Sequence, residues 1–289
     1  MDLKYRVVDV FTQNALEGNG LAVFLDGREL DDSTMQRIAR EMNQSETVFF
    51  LPPTLPDCVA RLRIFTPFSE MAFAGHPTVG ASYIARAVRM VPKSPPKFSL
   101  QENVGAVPIR ADKDGSLWLT TPRIGKSKTF PHSLCARALG LNEDDLPTES
   151  PCQVYSAGNP FLFVAVGEKK VVDRASPEPV SIALLSGDAS FTGIFVFAPT
   201  REGAYSRMFA PEQGIWEDPA TGSATGPLAA FMMDNRLVAH ADGTRFVSEQ
   251  GTKMGRRSLL HVLIHGDYGK DGIEVGGFVV PVATGTLRL

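Results

Sequence analysis

The sequence has few cysteines and no long uncharged apolar run. Its three cysteines, Cys58, Cys135 and Cys152, are far apart and include no CxxC pair, so they predict neither a disulfide framework nor a zinc ribbon. This usage fits a reducing compartment, and no apolar run suited to a secretory signal follows the first residues, so we expect a cytoplasmic protein. No stretch reaches the roughly 18 apolar residues of a membrane span, so no membrane association is expected.

An excess of positive charge is also missing. The 29 Lys and Arg residues are outnumbered by 32 Asp and Glu residues, which gives a net charge of −3. Without a basic block, the sequence lacks the electrostatic footprint of a nucleic-acid-binding protein. Hydrophobic residues make up 43% and charged residues 21% of the 289 positions. These values are typical of a globular chain with one large domain or two smaller ones.

Common cofactor and metal motifs are absent as well. There is no Walker A sequence, and residues 18–23 contain Gly-x-Gly without the third glycine and lead into a predicted strand. A dinucleotide-binding loop would lead into a helix, so we reject this interpretation. His261 and His265 are four residues apart in a predicted strand, which separates them by about 13 Å. That distance is too large for one metal ion, and the sequence predicts no metal site.

The apolar periodicity predicts a mixture of strands and helices. Apolar residues at positions 35, 38, 39 and 42 follow possible helix caps at 31–33, which predicts a helix over 33–42. Residues 58–65 alternate between two faces, as in a strand with one face less buried. Other helices are predicted at 77–89, 133–139 and 179–185 and in a segment that ends near 234, and strands at 5–11, 21–25 and 272–289.

Three short segments recur in the same order along the chain. Residues 18–24 resemble 158–164, residues 65–67 resemble 209–211, and residues 75–78 resemble 222–225. The matches favour an internal duplication. They predict an N-terminal lobe over 1–122 and a C-terminal lobe over 123–278, with a final strand at about 279–289 that returns to the first lobe. Two similar lobes would place a functional site in the cleft between them.

Glu46 is the first candidate for acid–base chemistry. It lies between the predicted helix at 33–42 and the apolar segment 47–51. A carboxylate among buried apolar neighbours is poorly solvated, so we expect a raised pKa that suits a general base or acid near neutral pH. The alternative is an ordinary solvated loop glutamate.

His76 is the second candidate, within the segment Gly75-His76-Pro77-Thr78. Gly75 permits a tight turn and Pro77 can begin a helix. The backbone N–H groups at that helix end would suit an anion, with His76 beside them as a proton carrier or hydrogen-bond donor. The alternative is a histidine that only caps its own helix.

A third candidate loop spans residues 217–226 and precedes another predicted helix. Asp218, Gly222 and Ser223 combine a carboxylate, a flexible backbone position and a hydroxyl group, and the loop duplicates the one that contains His76. The alternative is a glycine-rich helix entry with an aspartate cap. Glu46, His76 and Asp218 together would form a proton-transfer site for a small anionic substrate.

These segments, in this order, resemble the phenazine biosynthesis PhzF-like protein family over nearly the whole chain. The resemblance rests on residues 18–23, 43–47, 74–80, 158–160, 217–224 and 250–256. It implies an α+β fold like that of diaminopimelate epimerase, with two pseudo-symmetric lobes. Each lobe is a curled mixed β-sheet around a central helix, and the two helices would begin near Pro77 and Gly222.

The resemblance also implies a function. In the phenazine-pathway isomerase of trans-2,3-dihydro-3-hydroxyanthranilate, the matching glutamate moves a proton between ring carbons without a metal or organic cofactor. That role would fall here to Glu46, with His76 and Asp218 as catalytic partners and with Gly75, Gly222 and Ser223 binding a small carboxylated substrate. The family's characterised isomerase is a homodimer, so a homodimer is expected.

Two features limit what the family resemblance implies. The related epimerases and racemases use two cysteines, and the corresponding loops here contain none. Gly20 and Arg257 stand where the family usually has proline, which affects substrate fit more than mechanism. The open alternatives are an epimerase or dehydratase of an amino or hydroxy acid, and a non-catalytic protein that binds a small anion.

Overall fold

The computed structural model describes residues 1–91, 96–187, 191–239, 241–266 and 272–289. These residues form two compact units. The first comprises Met1–Thr120 and Val275–Leu289, and the second comprises Thr121–Glu274. Each unit is a mixed β-sheet with a buried helix, which confirms the predicted α+β class. The predicted lobe boundaries, 1–122 and 123–278, remain a prediction.

The first unit contains the eight described strands before residue 121 and the last strand of the chain. Its elements are β1 (Asp2–Val10), β2 (Asn19–Phe24), α1 (Asp32–Met42), β3 (Glu46–Leu51), β4 (Cys58–Phe65), β5 (Glu70–Met71), α2 (Gly75–Ala87), β6 (Lys97–Glu102), β7 (Gly105–Ala111) and β8 (Leu117–Thr120).

The second unit follows along the chain. Its elements are β9 (Gly125–Phe130), α3 (His132–Ala138), β10 (Cys152–Ser156), β11 (Pro160–Ala165), α4 (Lys169–Arg174), α5 (Pro179–Gly187), β12 (Gly193–Thr200), β13 (Gly203–Ala210), β14 (Ile215–Asp218), α6 (Gly222–Asp234), β15 (Arg245–Gln250) and β16 (Ser258–Ile264). The strand β17 (Ile273–Gly277) begins in this unit and ends in the first, and β18 (Val279–Arg288) pairs antiparallel with β1.

The two units repeat one order of strand pairings. In the first unit, β1–β2 is antiparallel, β2–β3 parallel, β3–β4 antiparallel, β4–β5 antiparallel, β4–β6 parallel and β6–β7 antiparallel. The second unit has the same orientations in the same order. There, β10–β11 is antiparallel, β11–β12 parallel, β12–β13 antiparallel, β13–β14 antiparallel, β13–β15 parallel and β15–β16 antiparallel. The buried helices α2 and α6 both have 13 residues and precede β6 and β15. This repetition confirms the two pseudo-symmetric lobes.

The end of α1 determines where β3 begins. The Asp31 side chain caps the helix by accepting a hydrogen bond from the Thr34 backbone N–H at 2.7 Å, as predicted for a helix beginning near residue 33. At the other end, Asn43 is in the left-handed region with φ of 48°, a conformation that stops a helix. The chain therefore reverses within three residues, and Glu46 becomes the first residue of β3.

The helix α2 lies close against β1 and β2 because Gly80 has no side chain. A Cβ atom there would lie 2.5 Å from Leu21 Cδ2 and 2.9 Å from Val10 Cγ2. The helix begins at Gly75, two residues before the expected Pro77. Pro77 fits inside the first turn because N–H groups there have no intrahelical acceptor.

Gly80→Val is expected to destabilise the protein by about 1–3 kcal/mol, because the added atoms would overpack this contact. Urea denaturation would measure the loss. Gly125→Val is the control, since a Cβ at Gly125 meets no atom within 4 Å. Equal stability of the two variants would contradict the close packing of α2.

In the second unit, α6 is buried from Gly222 to Met233. The ring of Phe231 packs against three aromatic rings at centroid distances of 5.5 to 5.8 Å, those of Tyr155, Phe163 and Phe197. These contacts anchor the C-terminal part of α6 in the core of the second unit. Neither α6 nor any other helix in the described parts of the chain is both long and apolar enough to cross a membrane.

Candidate active site

Glu46 is a buried carboxylate at the start of β3. Its residue is 7% exposed, and it lies opposite Leu21 of the parallel strand β2. The next four residues of β3 are also buried. The structure therefore contradicts the alternative that Glu46 is a solvated loop glutamate, and it places the carboxyl group where a base has little competition from water.

His76, the second residue of α2, faces this carboxylate. Its Nε2 atom lies 2.9 Å from Glu46 Oε2. Both atoms are buried, and neither has a hydrogen-bond partner of favourable geometry. No side chain caps α2, so His76 does not serve as a cap of its own helix. The fold brings together two residues that are 30 positions apart in the sequence. Because neither atom is used in a hydrogen bond within the described residues, both can interact with a bound substrate.

Asn19 fixes the orientation of the His76 ring from the other side. It is the first residue of β2 and is fully buried, and its Nδ2 atom lies 3.3 Å from His76 Nδ1. In this orientation the amide Nδ2 donates, so Nδ1 accepts and the proton of a neutral ring is on Nε2, toward Glu46. No sequence pattern assigned Asn19 this role, although the Gly-Asn pair at 18–19 belongs to the duplicated motif.

In the second unit, Asp218 ends β14 and is held by its own loop. Its Oδ2 atom accepts a hydrogen bond from Thr221 Oγ1 at 2.5 Å. Gln250, the last residue of β15, donates from Nε2 to Asp218 O at 2.7 Å and to Thr221 Oγ1 at 2.9 Å. The Thr221 backbone N–H donates to Gln250 Oε1 at 3.1 Å. The carboxylate therefore has a fixed position, and Gln250 is a further site residue that sequence reasoning did not single out.

Gly222 and Ser223 are the first two residues of α6, as Gly75 and His76 are of α2. Ser223 is buried, and Thr221, the residue before α6, makes no hydrogen bond that caps the helix with its side chain. The first backbone N–H groups of a helix lack intrahelical acceptors and carry partial positive charge. Each unit therefore presents one helix start that suits a carboxylate, next to one polar side chain.

Glu217 is adjacent to Asp218 but has a structural role. Its two carboxylate oxygens accept hydrogen bonds from Arg207 Nε and Nη2 at 2.8 and 2.7 Å. Both side chains are more than nine-tenths buried. The pair ties β14 to β13, so the candidate loop begins at Asp218.

Within the described residues, no group of three or more His, Cys, Asp or Glu side chains is placed to hold a metal ion. His261 lies in β16, as the strand prediction required, and His265 Nε2 lies 3.1 Å from Glu274 Oε2. All three cysteines are buried outside the two candidate loops. The structure therefore offers no pair of thiols at either helix start.

Comparison with known proteins establishes the class of this chain. It is 36% identical over 299 aligned positions to an uncharacterised isomerase of Mesorhizobium japonicum, with 98% of each chain covered. It is 32% identical over 291 positions to the trans-2,3-dihydro-3-hydroxyanthranilate isomerase of Pseudomonas aeruginosa, with 99% of each covered. A solved structure of a predicted epimerase from Pseudomonas aeruginosa superimposes with a TM-score of 0.84 at 33% identity over 99% of both chains. By class, the protein is an isomerase.

The family follows from a second comparison. Residues 8–285 match the family described as phenazine biosynthesis-like protein. The chain belongs to this family, which confirms the resemblance drawn from the sequence motifs.

Proposed function

We propose that this isomerase moves a proton between carbons of a small carboxylated substrate, with Glu46 as the general base and acid. The observation that supports this role is the buried pair formed by Glu46 Oε2 and His76 Nε2, 2.9 Å apart. A carboxylate that is shielded from water and lies next to an imidazole nitrogen is suited to repeated proton transfer.

In the proposed reaction, the Glu46 carboxylate removes a proton from a carbon next to a conjugated system. The electron pair of the C–H bond is delocalised into that system, and Glu46 becomes neutral. The protonated Glu46 then returns the proton to a different carbon on the same face. The substrate changes neither composition nor oxidation state, so no co-reactant is consumed. His76 Nε2 lies next to Oε2 of the carboxylate, which leaves Oε1 for the substrate.

The other predicted residues bind the substrate in this proposal. Gly75 and Gly222 supply backbone N–H groups at the starts of α2 and α6, which suit the substrate carboxylate. Ser223 donates a hydrogen bond, and Asp218, held by Thr221, polarises the substrate or assists protonation. We further propose that the protein is a homodimer and needs no cofactor, as the family resemblance implies. The cysteine usage supports a cytoplasmic location.

The first compound to test is trans-2,3-dihydro-3-hydroxyanthranilate, because the relative named for its isomerisation is 32% identical to this chain along nearly its full length. It carries both the carboxylate and the conjugated system that the mechanism needs. An epimerase is the second candidate, since the 33%-identical solved structure is described as a predicted epimerase.

Incubation with this compound in D₂O is expected to yield an isomerised product, with one deuterium gained wherever the Glu46 proton exchanges with solvent before it is returned. Mass spectrometry and NMR would detect both changes. A panel of amino and hydroxy acids is tested in parallel. Deuterium gain with inverted stereochemistry would support the epimerase, loss of water a dehydratase, and binding without any chemical change a non-catalytic protein.

A further inference from the structure

Glu102 is a buried carboxyl group that the proposed reaction does not use. It is the last residue of β6, and only 3% of its surface is exposed. Its Oε1 atom lies 2.5 Å from Thr78 Oγ1, in the first turn of α2 and two residues after His76. Burial raises the pKa of Glu102 to about 8, although hydrogen bonds from Thr78 and from the Ala74 backbone act in the opposite direction.

The hydrogen bonds of the Thr78 hydroxyl group also favour the protonated, neutral form of Glu102. The Thr78 hydroxyl lies 2.7 Å from the Ala74 carbonyl oxygen as well as 2.5 Å from Glu102 Oε1. A hydroxyl group has one proton, so it cannot donate to both. If Glu102 is protonated, its O–H donates to Thr78 Oγ1, and Thr78 then donates to Ala74. Glu102 Oε2 is buried without a hydrogen-bond partner, which would be costly for a charged carboxylate.

The second unit carries a neutral side chain at the corresponding position. Gln250 ends β15 as Glu102 ends β6, and these strands run parallel to the equivalent strands β13 and β4. Thr225 Oγ1 donates to Thr221 O at 3.0 Å, which repeats the contact of Thr78 with Ala74. Gln250 Oε1 accepts the Thr221 backbone N–H, and the Ala74 backbone N–H at the equivalent position acts to lower the pKa of Glu102. The two units therefore share the position of this side chain and the threonine-to-carbonyl hydrogen bond, although Gln250 contacts Thr221 before α6 and Glu102 contacts Thr78 within α2.

We infer that Glu102 is a positioning residue that works in its protonated form, where it holds Ala74 and thereby the Gly75–His76 start of α2 against Glu46. Ionisation of Glu102 breaks one of the two Thr78 hydrogen bonds and places an unpaired charge beside this turn. The site is then less well ordered, and turnover falls. The consequence for turnover rests on the roles proposed above for Glu46 and His76.

The surroundings of Glu102 provide no charge that would compensate its ionisation. The ionisable groups on its own strand and on the elements near it are Cys58, Arg61 and Arg63 on β4, Glu70 on β5, His76, Tyr83 and Arg86 on α2, Lys97 on β6 and Arg110 on β7. Arg63 is paired with Glu70 and with Asp32. Among the described residues none of these groups forms an ion pair with Glu102, and burial is the main cause of its raised pKa.

Glu102→Gln tests the inference because it imitates both the protonated carboxyl group and Gln250. For turnover of trans-2,3-dihydro-3-hydroxyanthranilate, we expect kcat/KM of the wild type to fall above about pH 8, by about tenfold per pH unit where ionisation is complete. The variant should match the wild type at pH 7 and show no such fall. Glu41→Gln, the same change on the exposed surface of α1, should retain the fall. An unchanged alkaline fall in Glu102→Gln would overturn the inference.

Thermal unfolding gives a second readout that does not depend on the proposed reaction. Between the usual glutamate pKa of 4.5 and about 8, the folded state keeps the Glu102 proton and the unfolded state has released it. Wild-type stability therefore decreases with rising pH relative to Glu102→Gln. We expect the difference in Tm between Glu102→Gln and the wild type to increase by roughly 4 °C or more between pH 5 and pH 8. The corresponding difference for Glu41→Gln should not change with pH.

The two readouts separate the proposals. If the compound is not turned over, the proposed substrate fails, while the pH-dependent gain in Tm still decides the protonation of Glu102. A Tm difference that does not change with pH would overturn the inference. If Glu102→Gln does not fold, ¹³C NMR of the glutamate carboxyl groups in the wild type replaces it. One buried resonance that titrates near pH 8 is expected, and titration of all of them near pH 4.5 would contradict it.

Discussion

Glu46→Gln is expected to lower kcat by about 10³-fold, within the range of 10² to 10⁴ typical of a lost general base. Glutamine has the shape of glutamate and fits the same place beside His76. It cannot accept a proton from carbon, so the loss should fall on kcat and leave KM nearly unchanged. Steady-state kinetics on the substrate found in D₂O would measure both constants.

The control for this variant is Glu41→Gln, which makes the same chemical change on an exposed residue of α1. It should have wild-type kinetics. Circular dichroism should show that both variants are folded, because replacement of a buried carboxylate by an amide of the same size removes charge without creating a cavity. Full turnover by Glu46→Gln would remove Glu46 from the mechanism and with it the reason for assigning His76 to the site.

Arg207→Met is expected to destabilise the protein by about 3–5 kcal/mol, the usual cost of breaking a buried ion pair. Arg207 makes two hydrogen bonds to Glu217, and its Nη1 atom donates to the carbonyl oxygens of Val172, Asp173 and Ala175 at 2.6 to 3.2 Å. Methionine would fill the space but leave the Glu217 carboxylate buried without its partner. Chemical denaturation would measure the change in the free energy of unfolding.

Arg28→Met is the matched control, since Arg28 pairs with Asp26 on the surface and its side chain is 65% exposed. We expect it to leave the free energy of unfolding nearly unchanged, because water screens an exposed ion pair. The double variant Arg207→Met, Glu217→Leu should recover part of the loss because no unpaired charge remains. Equal losses for Arg207→Met and Arg28→Met would show that the buried pair is not what stabilises β13 and β14.

The sequence alone was sufficient to predict the local elements and the duplication. The spacing of apolar residues and the Asp31 cap predicted α1 to within one residue of its observed start at Asp32. Period-two alternation predicted β4 over residues 58–65. Helix and strand periodicity depends on neighbours within a few positions, so a linear pattern carries it. The repeated segments predicted two similar lobes because a duplication preserves the order of its parts.

The motifs also indicated which residues to consider, but their partners were decided by the tertiary structure. His76 Nδ1 faces Asn19, 57 positions away, and Glu102 faces Thr78, 24 positions away. Glu217 looked like part of a catalytic loop, and its contact with Arg207 assigns it to structural support. Such contacts depend on strand register and on where a helix start lies against a sheet, which no local pattern records. The sequence determined the elements and the chemically competent residues, and only the packing decided which of them meet, because the partner of a buried polar group is set by the fold around it.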